Sequence, residues 1–192
     1  MEPPSSFNAA EQNTLLDVAF QAIAHGVQHG IPGSLQPAQY SAPLRATRAT
    51  FVTLKIGDNL RGCIGTLQAV RPVVEDVNEN AFAAAFRDPR FPPLAEPELA
   101  ELSISISVLS AAEPMTFASE PDLVAQLRPG IDGLILEEGY RRGTFLPAVW
   151  ESLPEPRAFL RQLKLKAGLH PDHWSERLRV YRYHTEVIGA DR

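Results

Sequence analysis

Apolar residues recur at helical spacing over residues 8–29, where Leu15, Leu16, Ala19, Phe20 and Ile23 fall on one stripe. Asn8 or Asn13 suits the cap of this helix, and Gly26 or Gly30 its stop. Residues 31–47, rich in Pro, Gly and Ser, predict an extended loop. Two β-prone runs follow, 49–55 and 60–64, and Ile56-Gly57-Asp58-Asn59 between them has hairpin chemistry. The spacing then predicts a helix over 71–86, with Pro72 in its first turn and Val73, Val74, Val77, Ala81, Ala84 and Ala85 on one arc. Phe82 and Phe86 fall on its other side among Glu75 and Glu79, so a second layer, a cleft or a partner must cover that side. Asp88-Pro89 ends the helix, and residues 90–94 are restricted to an extended segment.

Residues 102–109 alternate strictly, with Ile104, Ile106 and Val108 toward a core and Ser103, Ser105 and Ser107 away from it. The rest reads as a short helix near 120–127, a hairpin of 131–137 and 142–146 around Glu138-Gly139-Tyr140-Arg141, an amphipathic helix over 156–169 carrying Phe159, Leu160, Leu163 and Leu165, and a strand over 178–184. Helices separated by hairpins, without regular strand–helix alternation, predict an α+β fold: a largely antiparallel sheet with flanking helices.

At 192 residues the chain can bury the core of one domain, or of two small lobes, without a metal or disulfide staple. Its single cysteine, Cys63, excludes an internal disulfide and any four-thiolate metal cluster within one chain. A net charge of −5 argues against a general nucleic-acid coat, which needs excess positive charge. No apolar run approaches the ~20 residues that span a bilayer, and the first residues lack a basic region followed by an apolar one. The expected location is the cytoplasm, with no membrane partner. Charge is segregated: nine acidic residues face Arg128 alone between Glu96 and Glu138, while seven basic residues face Asp172 and Glu176 between Arg157 and Arg182. Such segments either attract one another or form an acidic and a basic face for protein partners.

The most unusual stretch is Leu60-Arg61-Gly62-Cys63-Ile64-Gly65. In a strand, Arg61 and Cys63 share one face, and a neighbouring guanidinium favours the nucleophilic thiolate. Glycines inside a strand point to a bulge, a bend or the close approach of another backbone. The same residues also suit a buried, inert cysteine in a tight strand.

This stretch resembles the LRGCIG signature of the AMMECR1 family, whose bacterial members are also called AmmeMemoRadiSam system protein A. The resemblance extends through Phe51-Val52-Thr53-Leu54, Glu75-Asp76-Val77, Phe86-Arg87-Asp88-Pro89-Arg90-Phe91, Ile104-Ser105-Ile106-Ser107-Val108, Gly130-Ile131-Asp132-Gly133-Leu134, Arg142-Gly143-Thr144-Phe145-Leu146-Pro147, Val149-Trp150 and Phe159-Leu160. It implies a single domain over residues 8–188 with tails at 1–7 and 189–192, and a larger and a smaller lobe around a cleft where the shared residues gather. The cleft set is then Gly62, Gly65, Glu75, Arg87, Asp88, Arg90 and Asp132, with Cys63 and Arg61 in any catalytic role. The resemblance implies no particular reaction. It implies partnership with a Memo-family protein, beside or fused to which family members are found, and with a radical S-adenosylmethionine protein, beside which they are found.

Other constellations are sparse. His25 and His29 stand at i,i+4, a metal-ligand spacing, but at a helix end where histidine also suits the dipole, and no third ligand accompanies them. His170 and His173 flank Pro171-Asp172 in a loop. No phosphate-binding glycine loop is present, so neither a metal nor a cofactor is expected. Tyr181 and Tyr183 alternate with Arg179, Arg182 and His184, a pattern shared by sheet packing and by single-strand nucleic-acid surfaces. Three function classes stay open: an accessory or substrate-binding component, an enzyme using Cys63 as nucleophile or redox group, and an RNA-binding module.

Overall fold

The computed structural model describes residues 6–189. It is α+β, with two four-stranded sheets, and it divides into two compact units. One unit runs to Leu109 and takes in the chain again from Glu186; the other is Ser110–Thr185. The predicted tails, 1–7 and 189–192, lie largely outside the described residues, and Phe7 is buried in the core of the first unit.

The first unit opens with α1 (Ala9–His29), capped by Asn8, whose side chain accepts from the Glu11 N–H while Glu11 reaches back to the Asn8 N–H. Gly30 ends the helix in the left-handed conformation. Gly26 instead lies within the helix, where any Cβ would stand 2.4 Å from the Phe86 ring and 2.8 Å from that of Phe82. That close approach explains how Phe82, on the second apolar side of α3 (Val73–Phe86), comes to be buried: α1 covers it. The buried stripe of α1 is Leu15, Val18, Ala19, Ala22 and Ile23, rotated from the predicted one, so Leu16 is half-buried and Phe20 exposed. The predicted 31–47 loop contains a 3-10 turn (Pro37–Gln39) and the short α2 (Ala42–Arg45), each with a proline in its first turn.

The first sheet is ordered β2 (Asn59–Gly65), β1 (Thr50–Ile56), β3 (Leu102–Leu109), β8 (Thr185–Ile188). Gly57 turns the β1–β2 hairpin with a positive φ of 57°. Val52, Leu54, Ile106 and Val108 face the helices and are buried, as the alternation predicts for β3. A 3-10 helix, Glu96–Glu101, leads into β3 where the sequence shows only a proline-rich connection.

The second unit holds α4 (Glu120–Gln126), α5 (Pro156–Lys166) and a sheet ordered β4 (Glu113–Pro114), β7 (Arg179–Tyr183), β5 (Gly133–Glu138), β6 (Arg141–Phe145). Trp150 stacks on Phe159 with centroids 3.7 Å apart. On α5 the apolar stripe is Phe159, Leu160 and Leu163, whereas Leu165, predicted with them, is exposed. Lys164 is fully buried, its Nζ donating to Glu120 at 2.9 Å. Tyr183 is buried against Gly133 and donates to the Phe145 carbonyl at 3.0 Å, which makes it a packing residue rather than a stacking platform.

Candidate functional site

The hairpin turn pairs Ile56 with Asn59, and continuing that register would set Thr53 opposite Gly62. A bulge intervenes: Leu54 pairs with Gly62 and Lys55 with Leu60, so Arg61 is left without a cross-strand partner and Cys63 moves opposite Thr53. On the other edge of β1, Thr53 pairs with Ser105. Cys63, Thr53 and Ser105 therefore stand in one row on the face turned away from the helices, with Cys63 Sγ 3.3 Å from Thr53 Oγ1. The Cys63 side of the row is clamped by the segment after α3. Asp88 accepts from the Cys63 N–H at 2.9 Å, and Arg90 both pairs with Asp88 at 2.7 Å and reaches the Cys63 carbonyl at 3.4 Å.

The bulge also corrects the assignment of Arg61 as the activator of Cys63. Strict alternation would place the two side by side, but the Arg61 guanidinium turns to Glu98, donating from Nε at 2.7 Å and Nη2 at 3.1 Å, and to the Pro92 carbonyl at 3.0 Å. It is buried there and holds Glu98 below the usual carboxylate range. The cation beside Cys63 is Arg90. Gly62 and Gly65 serve packing: a Cβ on Gly62 would lie 2.1 Å from the Ala84 carbonyl oxygen of α3, and one on Gly65 would lie 2.2 Å from the Phe51 ring. Glu75 is half-buried in the first turn of α3, and Arg87 is exposed over the Phe82 ring, so neither joins the clamp. Of the predicted set, Cys63, Asp88 and Arg90 come together.

Asp132 belongs to the second unit. Fully buried, it accepts from the backbone N–H and the guanidinium of Arg128, with His184 and Arg182 at 3.8 and 3.7 Å. Its own carbonyl accepts from the Trp150 indole at 2.7 Å. These bonds fasten the turn that enters β5. His173 lies 2.7 Å from Glu138, which also accepts from Ser175. The carboxylate thus stands between serine and histidine, whereas a serine nucleophile needs the histidine next to it. The His25 and His29 rings are 4.3 Å apart, and His25 Nδ1 lies 2.8 Å from the Ile31 carbonyl. Among the described residues no group of three or more His, Cys, Asp or Glu side chains is placed to hold a metal ion, and no helix is long and apolar enough to cross a membrane.

Three residues escaped the sequence reading. Thr53 and Glu98 enter only through the bulge and the 3-10 helix. Asp76 is fully buried and accepts from Thr50, Thr66, Arg71 and Asn80. Its signal was the i,i+4 pair Asp76 and Asn80, which helical spacing sets directly beside the apolar arc of Val73, Val77 and Ala84.

Arg90, helped by the Cys63 N–H and opposed by burial, holds the Asp88 carboxyl well below the usual carboxylate range, and Asp88 in turn raises Arg90. A depressed pKa stabilises the folded state above the unfolded-state value of about 3.9, and that contribution is lost as pH falls through the folded value. The stability gap between the wild type and Asp88→Asn should therefore be constant from about pH 7 to pH 5 and shrink progressively below about pH 4. Urea midpoints across that range check it; a gap that does not narrow in acid would show that the charge of Asp88 contributes nothing.

The AMMECR1 family profile matches residues 16–188. A protein of Methanothermobacter thermautotrophicus is 37% identical over 187 residues, covering 94% of this chain and 95% of its own length. One from Saccharolobus islandicus is 40% identical over 186 residues, covering 93% of this chain and 81% of its own. The crystal structure of an uncharacterized protein from Pyrococcus horikoshii is similar with a TM-score of 0.83 and 31% identity, over 95% of this chain and 93% of that one. The match takes in both units, the clamp around Cys63 and the Asp132 turn alike, and the chain belongs to the AMMECR1 family.

Proposed function

We propose that the protein is an accessory, substrate-binding component acting with a Memo-family protein and a radical S-adenosylmethionine protein, and that it binds over the row Cys63, Thr53, Ser105. The observation that carries this reading is how the charges beside Cys63 are used. Asp88 is committed to the Cys63 N–H and to Arg90, through Nε, Nη2 and the backbone, so it is set to hold the strand rather than to take up a proton. What the face offers is hydroxyl and thiol groups for hydrogen bonding, with the partly exposed Arg90 at its edge. The partner classes are those that the family resemblance implies. The test is co-purification of the tagged protein from its native cell. The wild type should retain both partner proteins, and Ser105→Tyr, which fills the face without touching the clamp, should lose them. Equal retention by the variant, or retention of neither partner by the wild type, would refute the reading.

A second reading keeps Cys63 as a nucleophile or redox group. It is favoured by the free, half-buried thiol beside Thr53 and by the proximity of Arg90. On this reading iodoacetamide labels native Cys63 faster than a free thiol at pH 7, Arg90→Gln slows the labelling, and Arg61→Met leaves it unchanged. Protection of the thiol until unfolding ends this second reading.

A further inference from the structure

We propose that the cavity between α1 and the 31–40 segment is a binding site for a small organic amine. The cavity encloses about 370 Å³, toward the lower end of the range for small-molecule sites. It lies within the first unit, and none of its lining residues belongs to the Cys63 row or its clamp. Two hydrogen bonds pin the segment that walls it: the Asn78 amide donates to the Gly33 carbonyl at 3.0 Å, and His25 Nδ1 meets the Ile31 carbonyl at 2.8 Å. The site is therefore formed before any ligand arrives, which removes an ordering cost from binding.

The chemistry of the lining selects the ligand. Val18, Ala22 and Leu35 supply apolar surface. Asn78 lines the cavity although it is only 6% exposed, and among the described residues its Oδ1 accepts no hydrogen bond. That oxygen is therefore free to accept from a donor brought by a ligand. Asp17 adds a carboxylate with no ion-pair partner among the described residues, and neither Lys nor Arg lines the cavity. An anionic ligand would be repelled by Asp17, and the imidazole that lines the cavity, His25, has its Nδ1 engaged with the Ile31 carbonyl at 2.8 Å. An ammonium group can instead pair with Asp17 and donate to Asn78 Oδ1, while its hydrocarbon body covers the apolar wall and its charge gains from the Tyr40 ring, which also lines the cavity.

The experiment titrates the isotope-labelled full chain with butylamine and with phenethylamine, following backbone amide shifts by NMR. Saturable shifts confined to α1, Asn78 and residues 31–40 are expected with at least one amine. The hydroxyl isostere 2-phenylethanol, and 3-phenylpropionate, which carries a carboxylate on the same phenethyl body, should leave those amides unmoved. Asp17 is exposed, so Asp17→Asn keeps the fold, and it should weaken amine binding about two- to fivefold, the worth of a solvent-exposed ion pair. Absence of saturable shifts with both amines, equal binding of the acid or the alcohol, or unchanged affinity in Asp17→Asn would each overturn the assignment.

Discussion

Asp76→Asn should cost about 3–5 kcal/mol of folding stability, the loss typical of removing one member of a buried charged network. The carboxylate is fully buried and accepts from the backbone N–H and hydroxyl of Thr50 at 2.8 and 2.7 Å, from Thr66 at 3.0 Å, from Arg71 at 2.7 Å and from Asn80 at 3.0 Å. It thereby ties the first turn of α3 to the start of β1 and to the segment after β2. An amide in its place keeps the shape but turns one acceptor oxygen into a donor facing donors, which leaves buried groups unsatisfied. The Arg71 ion pair itself carries little of this, because that side chain is 32% exposed and can be hydrated when its partner is lost. The expected order of urea-midpoint losses is thus Asp76→Asn first, Thr50→Val next at about 1–2 kcal/mol, and Arg71→Met last at under about 1 kcal/mol. If Arg71→Met proved as costly as Asp76→Asn, the ion pair rather than the buried donor set would hold this corner together.

The elements that hydrophobic period can reveal were legible: α1, the β1–β2 hairpin, α3, β3, the second hairpin and α5 all lie where the pattern places them, within a few residues. The misses have local causes. The segments at 37–39, 42–45 and 96–101 are too short to show a helical period, and each has a proline in its first turn that also reads as a loop signal. Strand β8 follows β7 after the single residue His184, so one continuous β-prone stretch conceals a change from the second sheet to the first.

The site was legible in its residues and not in its geometry. The glycines of Leu60-Arg61-Gly62-Cys63-Ile64-Gly65 signalled both a bulge and a close backbone approach, and both occur. What no periodicity conveys is which residue the bulge ejects. Because Arg61 is the extra residue, its charge goes to Glu98, and the guanidinium beside Cys63 comes from Arg90, some thirty positions along the chain. The charge segregation has an equally concrete outcome in the second unit. Lys164 pairs with Glu120, and Arg182 approaches Asp132. The basic and acidic segments thus meet one another, and the charges used this way are withdrawn from any surface for a partner.

Gly62→Ala should destabilise the protein by about 2–3 kcal/mol or more, at the upper end of what overpacking costs, because no side-chain rotation can make room. The atom in the way is the Ala84 carbonyl oxygen, 2.1 Å from where the new Cβ would lie, and it belongs to the backbone of a helix whose Ala84 and Ala85 are buried. Relief requires α3 to move off β2. That motion would pull on Asp88, which follows the helix and holds the Cys63 N–H, so the variant should also loosen the clamp. Gly65→Ala provides the contrast. There the obstacle is the Phe51 ring, with its nearest atom 2.2 Å away, and a side chain can be trimmed. Phe51→Leu should recover part of the Gly65→Ala loss and none of the Gly62→Ala loss, as read from urea midpoints of the single and double variants. If Gly62→Ala stayed within about 0.5 kcal/mol of the wild type, the glycine would not be required by helix packing, and Gly62 would return to the face where a ligand's close approach has to explain it.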